Sequence, residues 1–212
     1  MNGMPTIDKD LIKELRSLAP SIVLASGSPN RKLLLEECHI HVIVKSQDIN
    51  EICGLSKPKE VVSLLSREKL DSYLSSDGFI KHLPAIGVDT LVEINGSLLG
   101  KPKSRDEARK MLTSFSGKKQ IVWSGLSIFV PNKDVITTAV SSIVIFKKLL
   151  PFEIEDYLDT EEYIGAAGGY RVQKTGYKLI DRIEGSPSNV VGLPLEELVK
   201  GLKALRSAHD QD

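Results

Sequence analysis

Several features that define whole classes of protein are missing from this 212-residue chain. Its two cysteines, Cys38 and Cys53, lack the paired spacing of a metal site and are too few for a disulfide framework. We therefore expect reduced thiols in a cytoplasmic protein. Lysine plus arginine equals aspartate plus glutamate at 28 each, so no net charge attracts a nucleic-acid polymer or an anionic membrane. No apolar run approaches the roughly 20 residues that cross a bilayer, and the N-terminus lacks the basic-then-apolar order of a signal peptide.

The chain instead alternates strand and helix signals, without internal repeats or a long Pro/Gly/Ser linker. This pattern predicts one α/β domain over residues 21–206, with an N-terminal helical extension over 1–20 and a short tail over 207–212. The extension has apolar residues at helical spacing, which predicts an amphipathic helix packed on the body of the domain. These residues are Ile7, Leu11, Leu15 and Leu18.

Local signals bound most elements of the predicted mixed sheet and its flanking helices. Asn95-Gly96 tolerates the positive φ angles of a type I′ hairpin turn. Ser104 and Glu107 have the spacing of a capping box, and Gly117 marks the end of the helix that follows. After a first strand from Ser21 and a helix from Ser28, strands are predicted over 41–44, 84–93, 98–99, 120–130, 135–147, 170–172 and 177–183. Helices are predicted from 56–58 to about 75 and over 104–116, 151–158 and 195–205.

The segment 21–37 is typical of an anion site, because a strand runs through a small-residue turn directly into a helix. Ser28 is a favourable N-cap and Pro29 suits the first helical position. The free N–H groups of the helix would point at whatever lies over the turn that contains Ser26. Arg31 could then bind a phosphate there in a bidentate manner. The alternative is an ordinary strand-to-helix connection with a surface arginine.

Asp89 follows the apolar residues 85–88, at or near the end of a buried strand, where an aspartate can act as a base or a metal ligand. The alternative is an aspartate that caps a turn. A regular hairpin pairs Thr90 with Lys101 and so brings a lysine near Asp89. Strict pleating puts Asp89 and Lys101 on opposite faces, so a shared cleft requires an irregular ladder, for example at Gly100.

Lys69 lies at helical spacing with Val62, Leu65 and Tyr73, on what is otherwise an apolar helix face. One interpretation is that this face lines a cleft and that the ammonium group meets a phosphate. In the other interpretation, the side chain extends from the apolar face to reach solvent.

Metal ligation is less well marked in the sequence. Glu51 could join Asp89 in binding a divalent cation, and composition alone makes Asp48 an equal candidate. His39 and His41 are two residues apart but have no third ligand nearby, so they are interpreted as surface residues and not as a zinc site.

Taken together, these residues and several later motifs resemble the Maf family of nucleoside triphosphate pyrophosphatases, which is related in fold to the inosine triphosphate pyrophosphatases and Ham1. The order and spacing of the motifs match over most of the chain. The motifs are Leu24-Ala25-Ser26-Gly27-Ser28-Pro29-Asn30-Arg31, Arg67-Glu68-Lys69, Gly87-Val88-Asp89-Thr90, Leu99-Gly100-Lys101-Pro102, Ser116-Gly117, Ala167-Gly168-Gly169-Tyr170 with Gln173, Glu184-Gly185-Ser186 and Asn189-Val190-Val191-Gly192-Leu193-Pro194-Leu195.

The resemblance implies a mixed sheet flanked by helices, a cleft between two lobes, and a homodimer. It implies hydrolysis between the α- and β-phosphates of a nucleoside triphosphate, giving a monophosphate and pyrophosphate, with Mg²⁺ or Mn²⁺ as cofactor. By resemblance, Asp89 activates water and binds the metal together with Glu51. The residues implied to hold the triphosphate or stabilise its charge are Ser26, Ser28, Arg31, Lys69 and Lys101, with Glu51 beside them.

Base preference in the family resembles a code at three positions, which are Asn30, Thr90 and Gln173 in this chain. Thr90 and Gln173 agree with the branch that acts on dTTP and UTP, whereas Asn30 replaces the arginine usual there. The resemblance thus favours a pyrimidine triphosphate, including modified pyrimidines.

Three alternatives stay open at this point. The chain could be a 7-methyl-GTP pyrophosphatase, which is the activity of the family's other branch. It could be a nucleotide-binding regulator without turnover, which would fit the family's link to septum formation. The third alternative is a phosphatase or nucleotidyltransferase that uses the same anion site. A house-cleaning pyrophosphatase is favoured over a regulator because Asp89, Lys69 and Lys101 are all present.

Overall fold

The computed structural model describes residues 7–46, 49 and 57–207. Within these residues, helices and strands alternate along the chain as the sequence predicts. The helices are α1 (Lys9–Leu18), α2 (Pro29–Glu37), α3 (Pro58–Leu74), α4 (Arg105–Phe115), α5 (Pro151–Leu158), α6 (Pro187–Val191) and α7 (Leu195–Ser207). The strands are β1 (Ser21–Leu24), β2 (His41–Val44), β3 (Ala85–Ile94), β4 (Ser97–Leu99), β5 (Lys119–Phe129), β6 (Ile136–Phe146) and β7 (Ile180–Glu184).

The strands form a mixed sheet in the order β2-β1-β3-β5-β6-β7, and β4 pairs with β3. β1 is parallel to both β2 and β3, whereas the β3–β4 and β6–β7 pairs are antiparallel. The predicted α/β class, with its mixed sheet flanked by helices, is confirmed. The cleft between two lobes stays a prediction.

The chain divides into two compact units. The N-terminal unit comprises Ile7–Asp89, Ser124–Val140 and the residues from Gly192 onward, and the central unit comprises Thr90–Trp123 and Ser141–Val191. In the N-terminal unit, side chains of β1, β3 and α3 form a buried cluster around Tyr73. In the central unit, α4, α5 and β6 surround a larger cluster that contains the rings of Phe115, Phe146 and Tyr170.

The hairpin at Asn95-Gly96 is confirmed in detail. Asn95 and Gly96 have φ angles of 50° and 77°, which are the positive values that the turn requires. Val92 pairs with Leu99, and the ladder ends there. The predicted pairing of Thr90 with Lys101 therefore falls beyond the last paired residue.

Three predictions about local structure are wrong or half right. Residues 170–172 are not a strand, and residues 175–179 form a 3₁₀-helix, so β7 begins only at Ile180. Ser104 caps α4 by accepting from the N–H of Glu107, at 3.1 Å. The Glu107 carboxylate accepts from the N–H of Lys103, one residue earlier than a capping box requires.

The predicted amphipathic helix of the extension is α1. It packs on α7, and its Leu15 is buried. Polar contacts fix the same interface, because Glu14 pairs with Lys203 at 2.5 Å and Arg206 donates to the carbonyl of Leu18. α1 is thus attached to α7 of the N-terminal unit by apolar and polar contacts.

Cys38 is a free, buried thiol, as the sequence predicts. Burial raises its pKa to about 11, with a smaller contribution from the negative charge of Glu37. The thiol is therefore protonated and unreactive at neutral pH. Cys53 lies outside the described residues.

Among the residues that the structure describes, none of the helices combines the length and the apolar character that crossing a membrane would require.

An ion-pair network joins α4 to α5 in the central unit and supports a pH prediction. Hydrogen bonds from Arg109 and Arg105 lower the pKa of the Glu155 carboxyl from 4.5 to about 2. The network's stabilising effect should therefore be complete above pH 4.5 and should disappear as the pH falls toward 2. We expect ¹³C NMR of the carboxyl carbon to give this low pKa, and Arg109→Gln to return it toward 4.5. Arg182→Gln is the control, because it breaks ion pairs elsewhere in the same unit and should leave the pKa of Glu155 unchanged. An equal pKa of Glu155 in the parent protein and in both variants would contradict the prediction.

Candidate active site

The turn between β1 and α2 lies in the N-terminal unit and is built around a buried arginine. Arg31 has only 8% of its surface exposed, so the alternative of a surface arginine does not describe it. Its Nη1 donates to Ser26 Oγ at 2.6 Å, and its Nε donates to the carbonyl oxygen of Gly192 at 2.9 Å. Ser28 precedes the helix as predicted, but its side chain makes no capping bond to α2.

These contacts refine the expected phosphate site. Ser26 Oγ also accepts from the N–H of Ser28, at 3.3 Å, so the hydroxyl holds the turn and the guanidinium together. The Nε and Nη1 groups of Arg31 are thus held by Gly192 and Ser26, which fixes the guanidinium beside the turn. Because α2 begins at Pro29, the positive end of the helix dipole faces the same turn. The arrangement is suited to an anion.

Asp89 and Lys69 form the most buried ion pair among the described residues. Lys69 Nζ donates to Asp89 Oδ1 at 2.6 Å, and the two residues are 8% and 6% exposed. The lysine therefore does not extend to solvent, and the aspartate does not cap a turn. Asp89 also lies in the middle of β3 and not at its end, because β3 continues from Asp89 into the hairpin with β4. A buried charge pair of this kind costs desolvation energy, which active sites tolerate more often than ordinary cores.

The second carboxylate oxygen of Asp89 lacks a hydrogen-bond partner within the described part of the chain. Asp89 Oδ2 is buried, and no described residue forms a hydrogen bond with it. An oxygen in this state suits a cation or a water molecule, because a carboxylate can accept about four hydrogen bonds. The described part of the chain holds no cluster of three His, Cys, Asp or Glu residues. Glu51 and Asp48, the other predicted ligands, lie outside the described residues.

Parallel pairing of β1 with β3 brings the two parts of this site to the same end of the paired parts of these two strands. Leu24 pairs with Ile86, and Ala25 donates to the carbonyl of Ile86 at 2.8 Å. β1 ends at Leu24, two residues before Ser26, and β3 continues from Ile86 through Asp89. The N-terminal unit thus holds both contacts, that of Ser26 with Arg31 and that of Lys69 with Asp89.

Two glycines let α3, which carries Lys69, lie unusually close to the sheet. A Cβ added at Gly125 would lie 1.9 Å from the carbonyl oxygen of Val62, and one at Gly87 would lie 2.2 Å from that of Ser66. Buried hydroxyls join the same surfaces, since Ser66 contacts Ser127 at 3.1 Å. The backbone of α3 is therefore held directly against β3 and β5, which fixes the base of Lys69.

The other predicted site residues are spread more widely. Asn30 lies half-buried in the first turn of α2. Thr90, Lys101 and Gln173 belong to the central unit, where Lys101 is exposed just after β4. The N–H of Gly168 donates to the carbonyl of Gly100 at 2.9 Å and so holds the backbone before Lys101. Whether these three residues share a cleft with Asp89 stays a prediction.

Comparison with known proteins identifies the family to which the chain belongs. The sequence model of the family described as Maf-like protein matches residues 21–205. This chain belongs to the Maf-like family. The match begins at β1, and α1 precedes it in the chain.

Curated relatives of this Maf-like chain cover most of its length. The chain is 39% identical over 194 residues to a dTTP/UTP pyrophosphatase from Syntrophus aciditrophicus, covering 90% of this chain and 92% of the relative. It is 38% identical over 186 residues to a dTTP/UTP pyrophosphatase from Clostridioides difficile, covering 86% and 94%. A solved structure, the Ham1 protein of Staphylococcus aureus, aligns with a TM-score of 0.46 at 15% identity, covering 87% of this chain and 98% of that one.

Some residues that position the site were missed by sequence reasoning. Gly192 belongs to a family motif, but nothing in the local sequence indicates that its carbonyl accepts a hydrogen bond from Arg31. Gly125 did carry a usable signal, because a lone glycine inside a strand indicates close approach of another backbone. Applied to β5, that rule would have predicted the contact with α3.

Proposed function

We propose that this Maf-like protein is a nucleoside triphosphate pyrophosphatase that cleaves between the α- and β-phosphates and releases a nucleoside monophosphate and pyrophosphate. The observation that carries the proposal is the buried Lys69–Asp89 pair with one unpartnered carboxylate oxygen. A regulator that only senses a nucleotide has no need of a desolvated base. The names of the curated relatives support the same activity.

In the proposed mechanism, Asp89 acts as the general base. Its free Oδ2 accepts a proton from the water that attacks phosphorus, while Lys69 holds Oδ1 and fixes the direction of the carboxylate. Arg31 and Ser26, with the N-terminus of α2, bind phosphate oxygens and stabilise the negative charge that develops on them. Lys101 is proposed to add a further positive charge to the triphosphate.

A divalent cation fits this chemistry, and Asp89 and Glu51 are the proposed residues that would hold it. The support from the described residues is the unpartnered Asp89 Oδ2. Carboxylate oxygens are the preferred ligands of Mg²⁺ and Mn²⁺, and Oδ2 has lone pairs for such a cation as well as for the attacking water. When bound, such an ion neutralises charge on the triphosphate oxygens. Asp48 is the alternative second ligand.

A pyrimidine triphosphate is the proposed substrate, with dTTP and UTP preferred. Gln173 supports this choice, because its Nε2 is buried and has no hydrogen-bond partner among the described residues. An amide donor in that state suits a carbonyl acceptor, and both uracil and thymine present two carbonyls. Asn30 and Thr90 are the other proposed specificity residues.

Product analysis on a nucleotide panel tests the proposal. The purified chain is incubated with dTTP, UTP, CTP, GTP and 7-methyl-GTP, with Mg²⁺ or Mn²⁺, and the products are separated. We expect pyrophosphate and monophosphate from dTTP and UTP. Orthophosphate release would refute pyrophosphatase activity. Binding without turnover would favour a regulator. Preference for 7-methyl-GTP would assign the chain to the other branch of the family. The homodimer and the cytoplasmic location stay predictions.

Changing Lys69 should separate its catalytic role from its structural one. Lys69→Met removes the partner of a buried carboxylate, so we expect weaker triphosphate binding, a lower kcat and a loss of about 3–5 kcal/mol of stability. In the double variant Lys69→Met/Asp89→Leu, most of the stability should return while activity stays lost. Denaturant unfolding and steady-state kinetics measure the two effects. Lys69→Arg, which keeps the charge, is the control. A Lys69→Met protein that loses stability but keeps its kcat and triphosphate affinity would show that the lysine is only structural.

A further inference from the structure

A cationic groove lies on the N-terminal unit, between α1 and the start of β2. It has a volume of about 650 Å³, and its basic lining residues are Lys9, Lys13, Arg16, His39 and His41. The first three are spaced at i, i+4 and i+7, so they project from one face of α1 over a length of about 10 Å. The histidines form the other wall, which is tied to α1's C-terminal end by a hydrogen bond from His41 N–H to the carbonyl of Pro20 at 2.9 Å.

The positive charge in this groove is not paired with any carboxylate of the described residues. No carboxylate is among the lining residues. Within residues 7–46, 49 and 57–207, none of the five basic side chains forms an ion pair. By contrast, the acidic Glu14 on α1 faces α7 and pairs there with Lys203. The chain has no net charge, so Lys9, Lys13 and Arg16 make this groove a local concentration of positive charge.

The groove is formed by α1 and the residues around His39, which are packed on the rest of the N-terminal unit. Leu15 anchors α1 with 1% of its surface exposed, and Arg206 donates to the carbonyl of Leu18. His39 keeps a positive φ of 57° directly after α2, a conformation that a non-glycine residue adopts at a cost. The backbone that carries the exposed cations is therefore held in place, so anion binding has to order only the side chains, which costs less entropy than ordering a flexible segment as well.

We propose that this groove binds a chain of two or three phosphates, either free or as part of a nucleotide. Closely spaced cations in a small concavity match a compact ligand with several negative charges, and Arg16 can bind one phosphate in a bidentate manner. The volume is within the range of small-molecule sites. Ile12 and Pro20 also line the groove and offer apolar contact to a base or sugar. A nucleic-acid polymer fits less well, because it would need an extended basic stripe and the chain has no net positive charge.

The site is separate from the proposed catalytic residues, and its test does not depend on turnover. NMR of the histidine side chains follows a titration of the full chain with inorganic triphosphate, in EDTA and at about 0.15 M ionic strength, where exposed charges are screened beyond about 8 Å. His39→Gln and His41→Gln assign the signals. We expect saturable shifts of the His39 and His41 signals, while those of His82, which does not line the groove, stay in place.

A matched pair of triple variants decides the outcome. Lys9→Ala/Lys13→Ala/Arg16→Ala should weaken the titration at least about tenfold and leave pyrophosphatase activity and Tm unchanged. Lys110→Ala/Lys118→Ala/Lys119→Ala removes the same charge from exposed positions of the central unit and should have no effect on the histidine shifts. Parallel titrations with inorganic pyrophosphate and UTP distinguish the sources, since tighter UTP binding indicates a nucleotide and equal or weaker UTP binding indicates free polyphosphate.

Three results would overturn the proposal. The first is an absence of histidine shifts at this ionic strength. The second is an equal response in both triple variants, which would mean that the groove residues are not the ligands. The third is a response only to a single-stranded RNA or to vesicles of anionic lipid, which would assign the surface to a macromolecule.

Discussion

Asp89→Asn is expected to lower kcat by about a hundred- to ten-thousandfold, which is the usual contribution of a general base. Asparagine has nearly the same shape and its Oδ1 can still accept from Lys69, but it cannot take a proton from water. Because the carboxylate acts mainly in the transition state, nucleotide affinity should stay within about tenfold of the parent value. Single-turnover kinetics with UTP and equilibrium binding of a non-hydrolysable analogue measure the two quantities.

Asp71→Asn is the matched control for this substitution. Asp71 lies on α3, the helix that carries Lys69, and like Asp89 it pairs with a basic residue, here Arg67, but the pair is about half exposed. Its loss should change kcat little, because exposed ion pairs contribute about 0–1 kcal/mol. Full activity of Asp89→Asn would refute the base assignment. Equal losses of affinity and rate would instead indicate a carboxylate that only holds the metal.

Gly125→Ala should have the second large effect, although Gly125 is far from any proposed chemistry in the sequence. The new methyl group would lie 1.9 Å from the carbonyl oxygen of Val62 and 2.9 Å from the N–H nitrogen of Ser63. Both are backbone atoms of α3, so the whole helix must shift. We expect a loss of about 1–3 kcal/mol or more, measured by denaturant unfolding, and a fall in kcat/KM because Lys69 moves with α3.

Gly78→Ala is the control for that prediction, since its nearest neighbour is the flexible end of Lys45 at 3.5 Å. It should keep both stability and activity. If Gly125→Ala proved as stable as Gly78→Ala, the close packing of α3 on β5 would be contradicted. Loss of stability with an unchanged kcat/KM in the folded fraction would show that the packing does not set the position of Lys69.

Elements bounded by local chemistry were predictable from the sequence. The Asn95-Gly96 turn fixes its own hairpin because its φ angles are positive, and Ser104 begins α4 through its own side chain. Strands that depend on a partner were less predictable. Residues 170–172 have strand-forming side chains, but they form part of an irregular segment whose Tyr170 ring packs against Phe115 and Phe146. Tertiary packing overrode local propensity there.

The candidate site was predicted in kind but not in arrangement. An acid among apolar residues and a lysine on an apolar helix face pointed to Asp89 and Lys69, because charges are seldom buried without a reason. That they form a pair with each other could not be read from the sequence, since the contact depends on the distance between α3 and β3. The same holds for Arg31, whose partner Gly192 is distant along the chain.

The hydrogen bond between Arg31 and Gly192 joins residues that are 161 positions apart in the sequence, and this separation affects when the anion site can form during synthesis. The carbonyl that holds the Nε of Arg31 is made 161 residues after the arginine itself. Contacts of such long range close late in folding. A nascent chain halted before Gly192 would therefore carry the arginine without its final hold, and the anion site would become complete only after Gly192 has left the ribosome.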